Sequence, residues 1–228
     1  PFGEGFGDSD GDGDGGGGVS FFGSYRRGKR VAVLVDYSGS MGSDVEGGAG
    51  TRLNALKEEL AKSIEGLSSS MSFTVIFFSH HGWTIETEGP DHAGNGWNGL
   101  GDTPHVNWYP ASSVIKKRVA QQVRSMPAGG NTNWYMPLKM AFSMTPAPSI
   151  VYLLSDGEPR DGDDVLFQIK EINPRHTPID TIAFELPGSP AGMLMEISRV
   201  TGGRFTMVHK GKRLSGMAAE KLTSPTYD

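Results

Sequence analysis

The sequence predicts an α/β fold, with a doubly wound, mainly parallel sheet flanked by helices, and three observations carry that expectation. Short runs that are apolar almost without interruption recur along the chain, as strands buried on both faces require. Stretches with apolar residues three and four apart alternate with them, which is the spacing of one helix face. At 228 residues the chain can bury such a core as one domain.

Taken in order, the first strand is 31–36, Val-Ala-Val-Leu-Val-Asp. Leu53, Leu56, Leu60, Ile64 and Leu67 mark the helix that follows. The second strand is 72–78, rich in aromatic and β-branched residues. Val114, Ile115, Val119 and Val123 predict a second helix ending before Pro127, and a third spans about 134–144 and stops before Pro146. Strands are predicted at 149–154, 179–184 and 204–208. Helices lie between them at about 162–172 and 190–201, the latter with Pro190 in its first turn and Gly202-Gly203 at its stop. Residues 211–222 read either as a last helix or as a terminal packing segment.

Two stretches fall outside the alternation. Residues 1–18 form a Gly/Asp-rich tail or linker, too poor in apolar groups for a core, and 19–228 form the single domain. Asp8-Ser9-Asp10-Gly11-Asp12-Gly13 resembles the start of a calcium loop, but its twelfth position is Val19 where Glu is needed, so only weak Ca²⁺ binding is expected there. The tail's acidic residues could instead reach the metal face of a second copy, giving a homo-oligomer or filament. An insertion at about 80–110 is rich in Gly and holds four of the six His and three of the four Trp. His80, His81, His92 and His105 match no compact zinc spacing. Trp83, Trp97 and Trp108 are expected to pack the insertion onto the domain or to offer aromatic surface to a partner.

Composition narrows the function classes. The net charge of -5, with one short basic cluster at Arg26-Arg27-Gly28-Lys29-Arg30 read as a solvated flank, gives no footprint for nucleic acid. No cysteine is present, which excludes disulfides and thiolate metal sites. No apolar run reaches the ~20 residues of a membrane span. The chain begins at Pro1 rather than Met, so a processed piece of an exported, cell-surface or extracellular protein is expected.

Chemistry concentrates at the carboxyl ends of strands, where open α/β sheets bind ligands. The first strand runs into Asp36-Tyr37-Ser38-Gly39-Ser40, one carboxylate and two hydroxyls at alternate positions. Such an oxygen-only set suits Mg²⁺, Ca²⁺ or Mn²⁺ rather than zinc. Gly129-Gly130-Asn131-Thr132 and Leu154-Ser155-Asp156-Gly157-Glu158 should converge on the same place.

With these residues in view, the chain resembles the von Willebrand factor type A domains of bacteria that carry a metal-ion-dependent adhesion site. The family's Asp-x-Ser-x-Ser, Thr and Asp correspond to Asp36, Ser38, Ser40, Thr132 and Asp156. The resemblance covers about 20–210 and implies a Rossmann-like fold. It also implies Mg²⁺ held directly by Ser38 and Ser40, by Thr132 in the ligand-engaged state, and by Asp36 and Asp156 directly or through water. The open position then accepts a partner's oxygen, in the family an acidic side chain. Tyr37, Asn131, Asn133, Glu158 and Asp161 would form the rim. Glu158, Asp161, Asp163 and Asp164 give that rim a negative field, which opposes an acidic ligand unless a second cation or basic groups offset it.

The expected function is therefore a non-enzymatic, metal-dependent protein-binding or adhesion module. One alternative is an intracellular scaffold docking a chelatase-type ATPase. Another is a magnesium-dependent phosphate-handling enzyme, disfavoured because a dehalogenase-type phosphatase needs Asp where Ser38 stands. Neither a phosphate-loop nor a Gly-x-Ser-x-Gly motif occurs.

Overall fold

The computed structural model describes residues 18–21, 24–44, 50–87, 94–156, 159–185, 188–210 and 212–223. Gly18–Phe21 (β1) and Ser24–Arg27 (β2) pair antiparallel ahead of the main sheet. The main elements then follow as Arg30–Asp36 (β3), Arg52–Glu65 (α1), Ser72–Phe78 (β4), Gly82–Thr84 (β5), Tyr109–Pro110 (β6) and Ser113–Ser125 (α2). They continue as Tyr135–Ser143 (α3), Ile150–Ser155 (β7), Gly162–Ile172 (α4), Ile179–Phe184 (β8) and Ser189–Thr201 (α5). Phe205–His209 (β9), Lys212–Ser215 (β10) and Met217–Glu220 (α6) complete the order.

The main sheet runs β10-β9-β8-β7-β3-β4-β5, with β6 also on β4. β9, β8, β7, β3 and β4 are parallel, and β5, β6 and β10 are antiparallel additions at the edges. β3 sits in the middle because nothing in it needs water: Val31 through Asp36 are all buried. Its side chains alternate between two cores. Val31, Val33 and Val35 join Leu56, Leu60 and Ile64 of α1 and Val119 and Val123 of α2. Ala32 and Leu34 join Leu138 of α3, Val165 of α4 and Leu194 of α5 on the opposite face. This is the doubly wound α/β arrangement the alternation predicts.

Helix boundaries follow local chemistry. Thr51 caps α1, its hydroxyl accepting from Asn54 N–H at 3.2 Å. Pro190 lies in the first turn of α5, and Gly202 closes that helix in the left-handed conformation at φ 71°. The predicted α2 stripe holds for Val119 and Val123, whereas Val114 is 74% exposed because it lies five residues from Val119, off the buried face.

Two segments resolve differently from a plain loop or helix. Residues 211–222 include an edge strand, β10, and the four-residue α6 in place of one long helix. The insertion supplies β5 and β6 to the edge of β4. Trp83 is 2% exposed and stacks on Phe77 with centroids 6.1 Å apart. Trp97 exchanges both backbone hydrogen bonds with Gly82, at 3.0 and 2.8 Å, and the Trp108 indole N–H donates to Pro146 C=O at 2.9 Å. These contacts anchor the insertion; His92 lies outside the described residues.

Candidate metal centre

The chain passes from β3 to β4 on one side and later returns to β7 on the other, so the strand order reverses between β3 and β7. The chain leaves β3 for α1 on one face and β7 for α4 on the other, which makes at their carboxyl ends the crevice in which such folds bind ligands. Three segments are tied across it by backbone hydrogen bonds. Gly39 N–H donates to Gly130 C=O at 2.9 Å, and Gly129 N–H donates to Tyr37 C=O at 2.8 Å. Arg160 N–H donates to Thr132 C=O at 3.0 Å. The turn that carries Thr132 depends on Gly130, whose φ is 84° and where a Cβ would collide with the His80 imidazole.

Within this frame the polar side chains form a connected series. The Ser155 hydroxyl donates to Asp36 Oδ2 at 2.6 Å, and Ser38 N–H donates to Asp36 Oδ1 at 2.8 Å. Ser38 Oγ and Ser40 Oγ are 2.9 Å apart. Ser40 then donates to Asp156 Oδ1 at 2.8 Å, and Arg52 Nη1 meets Asp156 Oδ2 at 3.2 Å. Asp36, Ser38, Thr132 and Asp156 are each 5% exposed or less.

Two buried carboxylates in one crevice raise each other's cost of ionisation. Burial pushes the Asp36 carboxyl up to about 7, with the nearby Asp156 adding to the rise and the Ser155 and Ser38 hydrogen bonds opposing it. Asp156 is also raised by burial, against the pull of Ser40 and Arg52. A cation between them would relieve both.

The donor set fits a small hard dication. Adjacent vertices of an octahedron with ligands at about 2.0–2.1 Å lie about 2.9 Å apart. The two serine oxygens have that separation, 2.9 Å. Both are neutral oxygens flanked by carboxylates, the ligand chemistry of Mg²⁺, Mn²⁺ or Ca²⁺.

The residues expected at the rim are placed as follows. Tyr37 does not reach it: the side chain is fully buried, its hydroxyl donates to Val123 C=O at 2.9 Å, and its ring meets Phe77 edge-on. The cause is alternation, which turns position 37 to the core face when 36 and 38 face the crevice. Asn131 is exposed and accepts from Arg160 Nη2 at 3.1 Å. Asn133 is half-buried, with an Oδ1 that has no hydrogen-bond partner among the described residues. Asp161 is turned to helix capping, accepting from Trp134 N–H and Tyr135 N–H, both at 2.8 Å, at the start of α3. Asp163 and Asp164 are exposed in the first turn of α4, where the helix dipole favours negative charge. Glu158 lies outside the described residues.

Sequence reasoning missed Ser155 and Arg52. Ser155 is a hydroxyl in an otherwise apolar strand, beside the carboxylate it faces. Arg52 is a cation in the first turn of α1, where the dipole disfavours one, and that conflict was a readable signal.

No protein-family model matches the chain. The curated Bacillus subtilis (strain 168) protein YwmC, named as uncharacterized, is 25% identical over 186 residues, covering 77% of this chain and 74% of that protein. Among solved structures, a von Willebrand factor type A protein from Catenulispora acidiphila superposes with a TM-score of 0.63 at 17% identity, over 87% of this chain and 42% of that one. The chain adopts the von Willebrand factor type A fold. BatB from Bacteroides thetaiotaomicron shares it at a TM-score of 0.58 and 14% identity, over 85% of this chain and 94% of that one. So does the pilus adhesin SpaC from Lactobacillus rhamnosus GG in its open conformation, with a TM-score of 0.58 and 14% identity over 80% of this chain. This type A fold therefore corresponds to only 42% of the first of those structures and 28% of SpaC.

Proposed function

We propose that this chain is a non-enzymatic protein-interaction module that binds its partner through a divalent cation. Asp36, Ser38, Ser40, Thr132 and Asp156 hold the ion, Mg²⁺ in the first instance. The bound ion supplies a Lewis-acidic position for an oxygen of a partner protein, such as an acidic side chain. The observation that carries this reading is the pair of serine hydroxyls 2.9 Å apart, one of them donating to a buried carboxylate, at the switch point of the sheet. Each residue has a distinct part. Ser155 and the Ser38 amide fix the orientation of Asp36, Ser40 orients Asp156, and the Gly129-Gly130 turn brings Thr132 to the crevice.

Binding is favoured over catalysis because position 38 offers a hydroxyl where a dehalogenase-type phosphatase needs a second Asp. The basic groups Arg52 and Arg160 lie beside the site and offset part of the acidic rim, which supports an anionic ligand. On this reading the module works at the cell surface or outside the cell.

Titration calorimetry with Mg²⁺ on the wild type and Asp36→Ala, followed by partner capture in Mg²⁺ and in EDTA, tests the reading. Ion binding by the wild type alone and partner loss in EDTA are expected. Capture that persists in EDTA would overturn it.

A further inference from the structure

We infer that Arg52 is a resident counter-ion of the metal centre, occupying Asp156 until a dication displaces it and so setting the affinity for that ion. The inference rests on the metal reading above.

Three independent features of Arg52 lead there. The residue stands at the first position of α1, a turn with no acidic residue, where the exposed amides of the helix make a cation unfavourable. A structural role would place a basic residue at the other end. Its side chain is only 25% exposed, and it pairs with a carboxylate that has no solvent exposure at all. Among the described residues its buried Nε has no hydrogen-bond partner, and the contact shown for the guanidinium is that of Nη1 with Asp156. A guanidinium normally meets a carboxylate with two parallel donors. Here it reaches with one, at 3.2 Å, because the other carboxylate oxygen is taken by Ser40 at 2.8 Å.

The backbone explains how such a side chain is held in place. Arg52 N–H donates to Ser43 C=O at 2.9 Å, and Asp44 and Thr51 pair as an isolated antiparallel bridge. The start of α1 is thus tied to the segment that follows Ser38 and Ser40. The guanidinium gives Asp156 the charge compensation it would otherwise lack inside the crevice. The same positive charge opposes a dication arriving at the serines, and the two cations compete for Asp156. Among the described residues no cation meets Asp36: its oxygens take Ser155 and the Ser38 amide.

Calorimetry with Mg²⁺, repeated with Mn²⁺, on the folded wild type, Arg52→Met and Arg52→Lys tests this. Arg52→Met is expected to bind either ion about tenfold or more tightly than the wild type, since removing a unit charge a few ångströms from a dication is worth at least that much. Arg52→Lys is expected to restore wild-type affinity within about threefold, because charge rather than shape sets it. Arg52→Gln, which keeps a donor for Asp156 without the charge, replaces Arg52→Met should that variant fail to fold. Equal or weaker binding by the folded neutral variants, with the wild type still binding, would overturn the role of Arg52 and leave the metal reading standing. No binding by the wild type or by any variant would overturn both.

Discussion

At the residue scale, the site's behaviour is set by burial of its carboxylates. Asp36 is fully buried, and its carboxyl is pushed up to about 7. A raised carboxyl stabilises the folded state while it is protonated; that contribution is complete below the unfolded value near 3.8 and is lost as pH rises through about 7. Metal-free protein should therefore melt at lower temperature as the buffer moves from about pH 5 to about pH 8, and saturating Mg²⁺ should flatten or reverse that slope. Differential scanning calorimetry in EDTA and in Mg²⁺ reads both; a flat profile in EDTA would contradict the stated cause. Gly130 gives a second test. Its left-handed backbone and the His80 ring leave no room for a methyl group, whereas a Cβ on neighbouring Gly129 would meet nothing within 4 Å. Gly130→Ala should cost at least about 1–2 kcal/mol in urea unfolding, with Gly129→Ala close to neutral. Equal effects of the two substitutions would show that the turn is not held as described. Tyr37 marks what a motif conceals: the string Asp-x-Ser-x-Ser names three crevice residues, and only the pleat tells that the residue between the first two points to the core.

At the scale of elements, α3 is held by a residue that is not its own. Trp134 makes no side-chain cap, and the carboxylate of Asp161, at the start of α4, takes the Trp134 and Tyr135 amides instead. Because Thr132 lies two residues before Trp134, this cap also fixes the turn at the crevice. Asp161→Ala should lower stability by about 1 kcal/mol, as loss of a helix cap does, and weaken Mg²⁺ binding together with it. Urea titration and calorimetry on one preparation read both, and an unchanged affinity would separate the cap from the site. The same element scale explains what was legible in the sequence. β4 and β8 were readable to the residue, and β3 to within one, because their apolar runs are buried on both faces. β5, β6 and β10 were not, since strands of two to four residues at a sheet edge carry too few side chains to display a period. The five candidate metal-site positions were legible as a pattern. The pairing of Arg52 with Asp156 was not, because the two lie 104 residues apart and only the β3–β7 pairing brings them together.

At the scale of the whole molecule, the proposed ion centre should add to a stability that the fold already has. The two cores on either face of the sheet contain no site residue except through the strand ends, and each is built from aliphatic and aromatic side chains of several elements. Removing the ion should leave that packing in place, unlike in small metal-folded domains where the metal is most of the core. On the proposed reading the ion should still stabilise, because it would bind the assembled crevice and not the unfolded chain. At an Mg²⁺ concentration about one hundredfold above its dissociation constant, this linkage is worth about 2.7 kcal/mol. For a domain of this size each kcal/mol moves the midpoint by about 2–4 °C, so the shift between Mg²⁺ and EDTA should be about 5–11 °C. Far-ultraviolet circular dichroism at 25 °C should be the same in both conditions, and Asp36→Ala should melt near the EDTA value whether or not Mg²⁺ is present. Loss of helical signal in EDTA at 25 °C would mean that the cores do not hold the strand ends unaided, and the crevice would then be a product of the ion rather than its receptor.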